Sequence, residues 1–283
     1  MERVNLTQIH KAIVLPREHG AWAMFIAPLV VGIGTASLHS GISVTSRASG
    51  SLLLFAFTAF GFFLLRYPLM MVVKSRNAST RAEAAKWSAI YGVITVVGGM
   101  CLMFTARLWS LVPLGILGVV SLFVYLWQAA RRGEMSVLGE WTGIAGLCLG
   151  APGAYLTITG RMDERALALY VLNLLYFGGT VLYIKFKVRE QPRAIKAGAS
   201  WRERIRAGRA TLAYQGMVTA LALVLALVGF VPALAAVAFL PAMCKAIGGS
   251  MVVPARLNIR RVGLTELGFT AAFALMILIA FVP

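Results

Sequence analysis

The sequence predicts an all-α polytopic membrane protein of about nine transmembrane helices, with its N-terminus in the cytoplasm and its C-terminus outside. Three observations predict it. The 283-residue chain is 59% hydrophobic and only 13% charged, with a mean hydropathy of +0.81, well above the roughly 45–50% apolar usage of soluble domains. Apolar runs of about 18–23 residues recur from Ala21 to the C-terminus, long enough to cross the hydrocarbon core of a bilayer. Of 27 Lys and Arg, 23 fall in the N-terminal tail, the even-numbered connections or the ends of the spans that lead into them. Only 4 (Arg47, Arg107, Arg161 and Arg165) fall in the odd ones, and the positive-inside rule then sets the orientation.

The nine predicted spans are 21–39, 51–73, 85–106, 109–129, 136–158, 165–186, 212–230, 231–251 and 262–282. Pro16 and Glu18 suit the entry to the first span, proline because it has no N–H to lose there and glutamate because it complements the helix dipole. The third and fourth spans meet tightly at Arg107-Leu108-Trp109. The seventh and eighth meet between Gly229 and Pro232, where the proline suits the first turn of the new helix. MERVNLTQIHKAIVL lacks the apolar core and small-residue cleavage site of a signal peptide, so the expectation is a single transmembrane domain over 1–283 without a cleaved leader.

A basic cytoplasmic loop at about 187–211 separates the sixth and seventh spans. Ser200-Trp201-Arg202-Glu203 fits a capping box, in which hydroxyl and carboxylate satisfy each other's orphan backbone donors. Beyond it Trp201, Ile205 and Leu212 fall near one helical face while Arg202, Arg206 and Arg209 supply cations, as in a helix lying on an anionic leaflet. The segment admits two readings, a solvated topology determinant and a clamp for an anionic substrate.

Several classes are excluded. The net charge of +17 is accounted for by topology, so no nucleic-acid partner is needed. Cys101, Cys148 and Cys244 lie far apart in apolar runs and read as small buried hydrophobes, not a disulfide framework or metal site. No phosphate-binding loop, HExxH or GxSxG motif is present, and no repeat of the transporter kind is evident.

Ionisable groups within spans are the informative residues, since each costs about 2.5–3.5 kcal/mol at a helix centre. Three of the ten acids, Glu18, Glu140 and Glu266, fall near the cytoplasmic ends of the first, fifth and ninth spans, and Arg66 reaches similar depth in the second. The expectation is a polar cluster of Glu18, His19, Arg66, Glu140 and Glu266 opening toward the cytoplasm, with Arg17 and Tyr67 beside it. Tyr91, Asn173, Tyr176, Tyr183 and Gln215 line it or extend it inward. Against this, a first-turn glutamate is favoured by the helix dipole alone, and an arginine near a helix end snorkels to the headgroups.

The stretch LPREHGAWAMFIAPLVVG resembles the opening of the YwiC-like bacterial membrane proteins, and the likeness continues through Arg66 and Tyr67-Pro68 to Gly139-Glu140. It implies a multi-pass protein of the bacterial cytoplasmic membrane; it implies no reaction, cofactor or catalytic residue. The topology is also similar to UbiA-type intramembrane prenyltransferases, which hold magnesium and a prenyl diphosphate on aspartate-rich motifs in connections two–three and six–seven. Neither connection here contains an aspartate, and the sole one, Asp163, is expected outside. Magnesium held by carboxylates shared with phosphate is therefore not expected. Lys74, Arg76, Arg81, Lys185, Lys187 and Arg189 are instead the cations to hold an anionic headgroup directly. Three functions stay open: a binding protein or enzyme for an anionic amphiphile such as a membrane lipid or isoprenoid, an accessory subunit of a membrane-protein complex, and a transporter.

Overall fold

A computed structural model describes residues 19–40, 46–131, 133, 136–198, 200–251 and 259–282. Its helices are α1 (His19–Ser40), α2 (Ser46–Lys74), α3 (Ala78–Phe104), α4 (Val112–Ala130), α5 (Val137–Cys148), α6 (Gly150–Thr159), α7 (Glu164–Lys185), α8 (Gln191–Lys196), α9 (Trp201–Ala207), α10 (Arg209–Leu227), α11 (Ala233–Val237), α12 (Leu240–Met251) and α13 (Ile259–Ala280). Among the described residues, nine helical stretches are long and apolar enough to cross a membrane. They coincide with the nine predicted spans. Leu53, Val93, Phe123 and Leu227 stand exposed along these helices, a surface suited to acyl chains and poorly suited to water.

Four spans differ in detail from the expectation, the third by starting at Ala78 instead of 85. The fifth breaks at Leu149 between α5 and α6: Pro152 cannot donate to the carbonyl four residues back, so the helix restarts. The eighth breaks between α11 and α12 for the same reason at Pro241. The sixth runs on past 186, through a π turn at Phe186–Glu190 into α8, to make a helical stretch Glu164–Lys196. Much of the basic loop is thus helical. Pro192 sits at the first turn of α8, and the Ser200/Glu203 capping box starts α9, with the Ser200 N–H donating to Glu203 Oε2 at 2.7 Å.

The chain divides into two compact units, Met1–Ala166 and Leu167–Pro283. In the first, α2 and α3 pack along their lengths, α1 lies against α6 and α4 against α5. Glycines set the close approaches: a Cβ on Gly32 would lie 2.2 Å from Ala151 O, and one on Gly98 equally close to Thr58 Oγ1. Phe25 stacks on Phe63 with centroids 4.7 Å apart, and Trp22 meets Phe63 edge-on. Asp163 caps α7, accepting from the N–H groups of Arg165 and Ala166, and takes the Tyr155 hydroxyl at 2.9 Å. The sole aspartate is fully engaged in local structure. In the second unit α10 packs on α11 and α12, and α13 on both. Tyr176 of α7 stacks on Phe273 of α13 at 3.9 Å, and Phe239 meets Phe273 edge-on.

Candidate functional site

In the first unit the polar centre is Arg66. It sits on α2 about two turns before Lys74, with its guanidinium 3.9 Å over the Tyr125 ring of α4. The Tyr125 hydroxyl donates to Met70 Sδ one turn along α2, which fixes the ring. On the far side α5 presents Gly143, where a Cβ would lie 2.6 Å from an Arg66 guanidinium nitrogen; only glycine leaves the guanidinium its place. Ser121 bonds the Thr142 carbonyl and ties α4 to α5 at the same level. Phe62, Phe63, Arg66, Ser121, Tyr125 and Gly143 border a half-open cavity of about 20 Å³, room for one water. Among the described residues no carboxylate forms an ion pair with Arg66.

The second unit holds a different centre. Lys245 Nζ on α12 lies 2.8 Å from both carboxylate oxygens of Glu266 on α13, the side chains only 4% and 8% exposed. The ammonium also lies 4.6 Å from the Tyr183 ring and 5.0 Å from that of Phe269. Toward the helix ends, Lys187 Nζ donates to Gln191 Oε1 and to the Gly249 carbonyl at 3.0 and 2.8 Å, and the Gln191 amide donates to the same carbonyl. Deeper in, the Tyr176 hydroxyl approaches Thr270 Oγ1 at 3.4 Å. The Asn173 amide donates to Leu169 O, while its own oxygen is buried without a partner among the described residues.

The expected site residues therefore fall in several places. Arg17 and Glu18 lie outside the described residues, and His19 is described only as the first residue of α1. Glu140, in the first turn of α5, is one turn from Gly143 and hence close in sequence to the Arg66 contact, with no ion pair between the two. Tyr67 is half-buried beside Arg66 on α2. Arg76, Arg81 and Arg189 are exposed, and Lys185 is half-buried at the end of α7. Glu266 lies about two turns inside α13, deeper than the first turn the sequence suggested, because the helix begins at Ile259. Lys245 was missed by sequence reasoning, which counted it with the flanking cations. The signal was present: it is the one charged residue in the apolar run 231–251.

Residues 15–155 match the family described as YwiC-like protein, a stretch that contains Arg66, Tyr125 and Gly143. The chain is 25% identical over 194 residues to a Bacillus subtilis protein named "Uncharacterized protein YwiC", an alignment covering 66% of this chain and 72% of that one. It is also 22% identical over 180 residues to an uncharacterized protein of Haemophilus influenzae, covering 63% of this chain and 69% of the relative. No solved structure matches.

Proposed function

We propose that this chain, which residues 15–155 place in the YwiC-like family, binds an anionic amphiphile from the bacterial cytoplasmic membrane, with Arg66 meeting the anion. One observation carries the reading: a guanidinium within the apolar span Ser49–Lys74, stacked on Tyr125, bordering a half-open cavity and lacking a carboxylate partner among the described residues. A cation in such a place needs a counter-charge. Arginine supplies a planar fork of donors that matches phosphate or carboxylate oxygens two at a time. The apolar members of the cavity, Phe62, Phe63, Leu122 and Leu147, suit the first carbons of an acyl or isoprenyl chain behind such a headgroup. The cavity has the volume of a single water, so in this reading a headgroup meets the guanidinium from the cavity's open side.

The mode of binding in this reading is direct, by arginine and lysine, without a metal held on aspartates. The experiment purifies the protein in a native-like bilayer and identifies bound acidic lipids by mass spectrometry. It then titrates the ligand found, with and without a chelator. Arg66→Ala is expected to weaken binding at least about tenfold, the worth of a hydrogen bond to a charged group. Arg66→Lys restores it poorly because the ammonium neither stacks nor forks. Undiminished binding by Arg66→Ala, or binding lost to the chelator and restored by magnesium, overturns the reading. Recovery of a stoichiometric protein partner and no lipid favours the accessory-subunit alternative.

A further inference from the structure

The second unit contains a buried polar column that the Arg66 reading does not use. On α7 and the turn that follows, Asn173, Tyr176, Thr180, Tyr183, Lys187 and Gln191 recur every three or four residues. That spacing keeps them on one helical face. The column is about 27 Å long at the helical rise of about 1.5 Å per residue. Every member is buried except Lys187, which is half-buried. Facing it are Glu266 and Thr270, one turn apart on α13, and Lys245 and Gly249, one turn apart on α12. The contacts interlock: Lys187 and Gln191 with Gly249 at one end, Lys245 with Glu266 beside Tyr183, the Thr180 hydroxyl within reach of the Glu266 carboxylate, and Tyr176 with Thr270. The far end is the Asn173 oxygen, fully buried and without a partner among the described residues.

Polar side chains that merely glue helices together close satisfied bonds between neighbours. Tyr214 donating to Leu175 O and Thr211 donating to Leu182 O are of that kind. The column differs in two respects. It contains a full ion pair, which well-packed apolar residues of similar volume replace in proteins at little or no cost in stability, and it ends on a buried acceptor without a partner among the described residues. Between the two ends the Tyr183 ring lies 5.7 Å from Lys187 Nζ and 4.6 Å from Lys245 Nζ, so exchangeable groups follow one another from the helix end toward a buried acid, an arrangement suited to moving and storing protons. The cation bias assigns the Lys187 end to the cytoplasm.

We propose that this column is a proton-exchange site, with Glu266 taking up and returning a proton that enters from the Lys187–Gln191 end. On uptake an O–H bond forms at one Glu266 carboxylate oxygen, and that oxygen ceases to accept from Lys245. The new acid donates to Thr180 Oγ1. Lys245 keeps its proton and its charge against the Tyr183 and Phe269 rings, so the site gains one positive charge and no electron moves. Return of the proton restores the pair. The ionisable groups around Glu266 are Lys245 of α12 and Tyr176 and Tyr183 of α7. Tyr214 comes from α10, α11 brings none, and Arg260 and Arg261 are exposed at the start of α13 itself. The proposal concerns residues 173–273 alone and stands or falls separately from the Arg66 reading.

The test is infrared difference spectroscopy of the whole protein in nanodiscs, stepped between neutral and acid pH in H2O and in D2O. The expected result is a protonated-carboxyl C=O band that appears on acidification, shifts down at once in D2O, and is missing in Glu266→Gln. The paired variant Lys245→Met/Glu266→Met, which removes both charges and keeps the packing, lacks the band while retaining the helical spectrum. It serves where Glu266→Gln alone fails to fold. Lys187→Met slows the deuterium shift several-fold. The proposal is overturned by a band that survives both variants, by one that does not exchange with D2O, or by the absence of any such band while the protein stays helical.

Discussion

Lys245 and Glu266 are a mutual dependency at the scale of single residues. Removing either partner alone leaves a charge buried with nothing to neutralise it. Lys245→Met or Glu266→Met alone is expected to destabilise the protein by about 3–5 kcal/mol, whereas the double change to methionine is near neutral. Thermal unfolding of the three variants in detergent gives this comparison directly, and a double variant as unstable as the singles contradicts it. Arg66 depends on a neighbour in another way. At Gly143 even one methyl group enters the space of the guanidinium, so Gly143→Ala is expected to push Arg66 off the Tyr125 ring. Binding of an anionic ligand should then fall by about tenfold, the loss of one charged hydrogen bond. Retained affinity in Gly143→Ala shows that the guanidinium has room to move without consequence.

Two features at the scale of helices make measurable predictions. The Glu203 carboxyl is held below the usual carboxylate range, first by accepting the Ser200 backbone N–H and the Ser200 hydroxyl, then by the nearby Arg206 charge. A carboxylate whose pKa is depressed in the folded state stabilises it above the ordinary carboxylate pKa. That contribution is lost as pH falls through the depressed value. The N-terminus of α9 should therefore fray on acidification below the carboxylate range and remain intact at neutral pH. Amide hydrogen exchange at Ser200 and the first turn of α9 reports it, and Glu203→Gln should weaken protection already at neutral pH. Where α1 crosses α6, Gly32 leaves no room for a side chain against the Ala151 carbonyl. Gly32→Ala has to separate the two helices, and a cost of about 1–3 kcal/mol is expected from the overpacking, read as a lowered unfolding temperature. An unchanged temperature means that the helices slide apart freely.

For the molecule as a whole, the 23-to-4 division of cations predicts a cytoplasmic N-terminus and an external C-terminus. A reporter active only outside the cytoplasm should work when fused after Pro283, and one active only inside should not. The reverse result inverts the assignment of the Lys187 end of the polar column to the cytoplasm. The two compact units also divide the functional chemistry. The Arg66 centre is built from residues that match the YwiC-like family, and the Lys245–Glu266 column from residues beyond that match. Changes at one are expected to leave the other's readout intact, since no residue is shared.

The class of protein was legible in the residues, because hydrophobicity is a sum over a window and needs no knowledge of partners: nine apolar runs became nine helical stretches among the described residues. Local signals were equally readable. Ser200 and Glu203 are three residues apart and find each other within one turn, as the capping-box pattern required. The breaks at Pro152 and Pro241 were readable in principle from the prolines, yet the apolar runs are continuous across them and hid the interruptions. Partnership between distant residues was not legible. Depth along the membrane grouped Glu266 with Glu18, Glu140 and Arg66, and depth alone could not point to Lys245. The rotation of α12 against α13 is what delivered Glu266 to Lys245, 21 residues away. The same holds for Arg66: its residue type marked it as costly in a membrane, while its seat between Tyr125 and Gly143 depends on how α2, α4 and α5 pack. The sequence by itself determined which groups had to be accounted for, through the cost of burying them. The tertiary structure alone decided what they touch, since that is set by helix rotation and side-chain shape, to which a linear pattern of hydrophobicity is blind.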